Sequence, residues 1–158
     1  MSDKQLPKRK NIRLQGYDYS SEGCYFITIC TEQRKNLLST IVGGDDPGAP
    51  KKIILTPYGK VVEKYILSIE KAYESVKVEN YIIMPNHIHL LLLIDIFGLP
   101  RSSAPTIPNV ITAFKKFTNR DCKQNLWQRG YMDHIIRNQT DFEHHWNYIE
   151  YNALKEYK

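Results

Sequence analysis

Two histidines separated by one apolar residue, His87 and His89, are where chemistry can begin in this chain. They open the run His87-Ile88-His89-Leu90-Leu91-Leu92-Leu93-Ile94, directly after Met84-Pro85-Asn86. The run has the apolar character of a strand, and alternate residues of a strand project from one face. His87 and His89 therefore stand side by side, with Ile88 and Leu90 on the opposite face. Two neighbouring imidazoles on a rigid surface are the start of a divalent-metal site. Such a site needs a further donor, and a reaction there needs a nucleophile.

Both can come from the last helix. At about 100° per residue, Phe142, Trp146, Ile149 and Ala153 form one anchoring face. Asp141, His145, Tyr148 and Asn152, at i, i+4, i+7 and i+11, form a polar stripe along its flank. Tyr148 and Asn152 are neighbours on the helix surface. If this helix docks beside the histidine pair, Asn152 offers an oxygen to the same ion. Mg²⁺ or Mn²⁺ would complete its shell with water or a phosphate oxygen. Tyr148 is then placed to attack the phosphodiester, and a phenolic nucleophile would store the broken bond as a phosphotyrosine. Tyr131 and Tyr151 are rival nucleophiles. Tyr131 lacks an amide four residues on, and Tyr151 points away from the anchoring face. His145 is a possible supporting residue through DNA contact or orientation of the phenol; His134 reads as structural.

The elements that must position these groups follow from local pattern. Cys24 to Thr31 is β-branched and aromatic, a central strand. Gly43 to Pro50 is a loop by composition, and Ile53-Ile54-Leu55 is a short extended piece. Thr56-Pro57 caps a helix running to about Glu74, with Val62, Tyr65, Ile66 and Ile69 on its inner face. Val76 to Met84 is a strand, Pro85-Asn86 a turn, and His87 to Ile94 the next strand. Phe97 to Pro108 reads as a linker. A second helix spans Asn109 to about Asp121, with Val110, Ala113, Phe114 and Phe117 inward. Leu126 to Ile136 is extended, and Thr140-Asp141-Phe142-Glu143 matches a capping box opening the last helix. This order predicts an α+β fold: a ferredoxin-like antiparallel sheet with helices on one face, plus a C-terminal helix carrying the tyrosine.

The bulk properties fit one domain spanning residues 1–158, with 1–21 a basic N-terminal arm. The chain is 42% hydrophobic and 25% charged, which excludes a disordered protein. Its net charge of +5 and eleven tyrosines lean towards single-stranded nucleic acid as partner. Lys8, Arg9, Lys10, Arg13, Lys115, Lys116, Arg120, Arg129 and Arg137 are the candidate DNA contacts. Three cysteines without metal-type spacing imply packed thiols and a reducing, cytoplasmic setting. Residues 1–10 lack the apolar core of a signal peptide, and no apolar run reaches the roughly 20 residues of a membrane span.

The residues also resemble a known family. His87-Ile88-His89 after Met84-Pro85-Asn86 is similar to the His-hydrophobic-His signature of single-tyrosine transposases. The blocks Gly16-Tyr17-Asp18-Tyr19, Tyr25 to Thr31, Leu126-Trp127-Gln128-Arg129 with Tyr131, Asp133 to Asn138, and His145 to Asn152 extend the likeness over nearly the whole chain. The resemblance is to the insertion sequence 200-like group and, more closely, to REP-associated tyrosine transposases. It implies a ferredoxin-like fold acting on single-stranded or hairpin DNA at palindromic repeats, as a monomer or homodimer. It implies Tyr148 as nucleophile, a 5′-phosphotyrosine and a free 3′-OH, and a metal held by His87, His89 and Asn152. One departure stands out. The family's proline after that asparagine is Ala153 here, which favours continued helix. The chain also ends at Lys158, where some relatives continue. A domesticated, non-catalytic DNA-binding protein of the same fold is the alternative. A histidine-triad nucleotidyl hydrolase or transferase is not, because its third histidine position is Leu91.

Overall fold

The computed structural model describes residues 23–44, 46, 48–95 and 105–156, apart from the side chains of Asn152 and Glu156. The N-terminal arm with Lys8, Arg9, Lys10 and Arg13, and most of the proline-containing linker, lie outside the described residues. Four strands form one antiparallel sheet in the order β4-β5-β1-β6. They are β1 (Gly23–Cys30), β4 (Val76–Ile83), β5 (His87–Ile94) and β6 (Met132–Ile136). Helices α1 (Pro57–Ala72) and α2 (Ile107–Cys122) complete the expected ferredoxin-like order of strands and helices. A separate hairpin, β2 (Ser39–Val42) with β3 (Lys52–Leu55), is inserted before α1.

Side-chain alternation decides what each face does. Ile88, Leu90, Leu92 and Ile94 of β5, with Tyr25, Ile27 and Ile29 of β1, face α1 and α2. Val62, Ile66 and Ile69 of α1 close over them, as their spacing predicts. On α2 the buried face is Ile107, Val110, Ile111, Phe114, Thr118 and Cys122. Phe117 is turned outward and stacks on Tyr65, so the inner face of α2 is rotated from the expected one. Thr118 explains part of this rotation: its hydroxyl accepts from Trp127 Nε1 at 2.9 Å inside the core.

Helix starts follow side-chain capping. Thr56 accepts from the Gly59 N–H and donates to the Leu37 and Leu38 carbonyls, which ties the hairpin to α1. Gly59 is needed there, because a Cβ would stand 1.9 Å from the Leu38 oxygen. Helix α3 (Gln139–Asn147) starts earlier than the Thr140 box predicts. Asn138 is the cap and accepts from the Asp141 N–H at 2.8 Å. The Asp141 carboxylate accepts from the Arg137 N–H at 3.0 Å, tying the residue before the cap to the first turn. The extended reading of residues 126–131 gives way to a loop with one bridge, Thr31 to Trp127, before β6 begins at Met132.

Helix α3 lies on the other face of the sheet. Phe142 and Ile149 are buried with Cys24, Leu91, Leu93 and Ile136, and Trp146 packs at the edge of this cluster. The helix then widens into a π turn, Tyr148–Asn152, in which the Ala153 N–H bonds to the Tyr148 carbonyl. A final turn, α4 (Ala153–Glu156), follows with Ala153 buried. Helix does continue through Ala153, by way of the π turn.

Candidate active site

The histidines sit on the α3 face. His89 is directly opposite Thr28 of β1 and Ile82 of β4, and His87 is opposite Cys30. Their rings are 4.7 Å apart. His89 is 6% exposed, and its Nδ1 meets the Thr28 hydroxyl at 2.9 Å. Its Nε2 is buried and has no hydrogen-bond partner among the described residues. A buried polar atom left without a partner is costly and calls for a ligand. His87 Nδ1 meets Asn86 Oδ1 at 2.7 Å. Because an amide oxygen only accepts, His87 carries its proton on Nδ1, which leaves Nε2 as a lone pair.

Both imidazoles are held neutral. Burial lowers the pKa of His87 from 6.5 to about 4, helped by the positive field of Arg34. Burial lowers that of His89 to about 3, with His87, His145 and Arg34 adding to the effect. Neutral imidazole is the ligand form, and a hydrogen bond on the far ring nitrogen orients it. The orphaned Nε2 and the Nδ1 partners thus fit a divalent ion at this pair.

The polar flank of α3 reaches the same place. The Tyr148 ring lies 5.3 Å from that of His89, edge to face. Phe26 of β1 stacks on His89 at 5.0 Å and contacts Tyr148 at 6.2 Å and His145 at 4.6 Å. The helix carrying Tyr148 therefore packs on the histidine pair of its own chain. Its far end is tied to β4, where Asn80 donates to Glu150 at 2.8 Å. Asn152 closes the π turn that starts at Tyr148. Such single wide turns are frequent at functional sites.

The rival tyrosines are elsewhere. Tyr151 is exposed, and Tyr131 packs against the core under α1 and α2, on the opposite face. The predicted basic contacts divide. Helix α2 lies on that opposite face too, so Lys115, Lys116 and Arg120 are not brought to the histidines. Lys115 donates to the Gln128 and Gly130 carbonyls, holding the loop before β6. Arg120 pairs with Asp121 and Tyr65. Arg129 and Arg137 are exposed.

Sequence reasoning missed four residues around the pair. Thr28, Asn86 and Phe26 act on the histidine rings directly. Only Asn86, which precedes His87 in the chain, carried a local signal. The fourth, Arg34, follows β1 in a short 3₁₀ turn and donates to Cys30 Sγ. Gln33 and Arg34 both have φ of 55°. Left-handed backbone at non-glycine residues costs about 1–3 kcal/mol each and gathers at functional sites.

A second group of ligand-type side chains, His134, Asp141 and His145, lies nearby and could hold a metal ion. Partial burial works against the Asp141 carboxylate. The Arg137 N–H and the His134 imidazole nevertheless hold its pKa below the ordinary carboxylate value. His145 meets the same carboxylate, with Nδ1 3.1 Å from Oδ1.

Fold and side-chain placement together define a ferredoxin-like sheet with a histidine pair and a tyrosine on one face. No protein-family model matches the sequence. The chain is 29% identical to an uncharacterised protein of Haemophilus influenzae over 92% of its own length and 88% of that protein's. It is 23% identical to the REP-associated tyrosine transposase of Escherichia coli K12, over 87% of this chain and 70% of that one. A solved structure of a REP-associated tyrosine transposase bound to a REP hairpin shares the fold, with a TM-score of 0.62 and 21% identity. That match covers 90% of this chain and 74% of the other. The chain is a relative of the REP-associated tyrosine transposases. Among the described residues, no helix is long and apolar enough to cross a membrane.

Proposed function

We propose that this protein cleaves and rejoins single-stranded or hairpin DNA at palindromic repeats, using a divalent metal and a covalent 5′-phosphotyrosine at Tyr148. One observation carries the reading: a buried, neutral His89 whose Nε2 lacks a partner among the described residues, 5.3 Å ring to ring from Tyr148. The hairpin bound by the solved relative supports the substrate class.

His87 and His89 would hold Mg²⁺ or Mn²⁺, with Asn152 as a third donor. When bound, the ion supplies Lewis-acid polarisation of a phosphoryl oxygen. The chain's own groups do the rest. Tyr148 Oη attacks phosphorus, the P–O3′ bond breaks, and the 3′-oxygen takes up a proton as the phenol loses one. Attack of a 3′-OH on the phosphotyrosine reverses these changes and frees the phenol. Phe26 and Ile82 would wall one side of the site, and Arg34, whose positive field reaches both histidines, would neutralise a non-bridging phosphate oxygen.

The test is incubation with hairpin oligonucleotides from the gene's flanking palindromes plus Mn²⁺. Wild-type protein should form a denaturation-resistant protein–DNA adduct. Tyr148→Phe should lower adduct yield by at least about 10³-fold while hairpin binding persists. An adduct surviving in that variant would move the nucleophile elsewhere. Wild-type protein that binds the hairpin but never forms an adduct would make it a non-catalytic binding protein of this fold.

A further inference from the structure

Where the edge strand β6 meets α3, a second set of donors converges. His134 comes from β6, and Asp141 and His145 come from successive turns of α3. His134 Nε2 lies 2.9 Å from Asp141 Oδ2 and 3.1 Å from Oδ1, and His145 Nδ1 lies 3.1 Å from the same Oδ1. One ligand atom from each residue falls within 4.8 Å of the other two. Around a tetrahedral ion, donors at about 2.1 Å stand roughly 3.4 Å from one another. Two of the three separations are already close to that value, and the third needs only a modest closing.

We propose that His134, Asp141 and His145 form a second metal site, which takes a borderline transition ion such as Zn²⁺ or Co²⁺ and fastens the Tyr148 helix to the edge of the sheet. Two imidazoles and one carboxylate suit such ions better than Mg²⁺, which prefers oxygen. The site is separate from the His87/His89 pair. The Phe26 ring stands between them, 4.6 Å from His145 and 5.0 Å from His89. It also has an entry path, because the His134 side chain is 46% exposed.

Without an ion the three side chains form a hydrogen-bonded network, with the His134 and His145 rings stacked at 4.6 Å. Coordination needs two changes. Each neutral imidazole must carry its proton on the other ring nitrogen: His134 on Nδ1 and His145 on Nε2. His134 must also turn so that its lone pair shares a point with that of His145, and its exposure leaves room for this. The His145 contact to the Asp141 carbonyl, 2.9 Å, is given up in exchange. The gain is a cross-link between β6 and α3 only three residues before Tyr148. The metal site itself does not depend on the DNA-cleavage reading.

The test uses tag-free full-length protein, stripped with chelator and titrated with Co²⁺ and Zn²⁺. The His87→Ala/His89→Ala variant removes the first site from view. It should still bind one equivalent of Co²⁺ with the visible absorption of a four-coordinate centre, and its melting temperature should rise with Zn²⁺. Adding His134→Ala should abolish both signals while the circular dichroism spectrum is retained. His134→Gln should behave likewise, which guards against a packing effect at Ala. Absence of the Co²⁺ signal in the first variant would overturn the proposal. So would a signal that survives both His134 replacements. Loss of hairpin cleavage alone would not bear on this site.

Discussion

One sheet presents two faces built on opposite terms. Under α1 and α2, β5 contributes Ile88, Leu90, Leu92 and Ile94, all fully buried against apolar neighbours. Under α3 the same strand contributes His87 and His89, then Leu91 and Leu93. Among the described residues the first face buries no unpaired side-chain polar atom, and its burial stabilises the fold at about 25 cal/mol per Å² of apolar surface. The second is apolar only where it anchors Phe142 and Ile149. At its other end it buries an imidazole nitrogen without a partner. The close-packed apolar face anchors the strand, and that burial offsets the cost of the unpaired group on the other face.

Substitutions on each face should separate these roles. Leu90→Ala should cost about 2–5 kcal/mol in urea denaturation, through lost transfer energy plus a cavity. Gly59→Ala should cost about 1–3 kcal/mol, because the added Cβ meets the Leu38 carbonyl and the hairpin must shift. His89→Leu should have the opposite sign. It removes the unpaired Nε2 and should raise stability by about 1–3 kcal/mol in metal-free protein, while Mn²⁺ binding at this site is lost. If His89→Leu destabilises as Leu90→Ala does, the two faces do not differ in the way described.

Finer changes test how the histidines are held. Thr28→Val keeps shape but removes the partner of His89 Nδ1. It should weaken Mn²⁺ binding by about 10–100-fold, measured by calorimetry. The smallest effect is in pH. His87 and His89 have folded pKa values near 4 and 3, below their unfolded 6.5. The unfolded chain therefore binds more protons between these values, and stability is lost as pH falls from about 6.5 towards 3. By pH 5.5 the loss should be about 1 kcal/mol for His89 and less for the partly exposed His87, whose charge is screened by solvent. His89→Leu should flatten that slope; an unchanged slope would mean that other groups cause it.

Where local pattern was strong, the sequence could be read directly. The β5 strand, the turn before it, the Thr56 cap and the anchoring face of α3 all stand as their spacing predicts. Other features were not legible. The short strand β2 carries too few residues for a period to show. Asn138 outcompetes Thr140 as cap because its side chain meets the Asp141 N–H, a matter of geometry rather than composition. Trp127, part of the block that marks the family resemblance, turns out to be buried with its N–H on Thr118. Lys115 looks like a phosphate contact in sequence but holds a loop.

By itself the sequence determined that His87 and His89 share one face of a strand, because a period of two is a property of the local backbone. It likewise determined that Tyr148 rides the flank of an amphipathic helix. Only the tertiary structure decided that this helix covers the histidine face, within the same chain, and that it does so through a π turn. It alone supplied Thr28 across the sheet and Arg34 beyond the end of β1. The reason is range. Thr28 meets His89 across a separation of 61 residues, and no local spacing rule reaches that far.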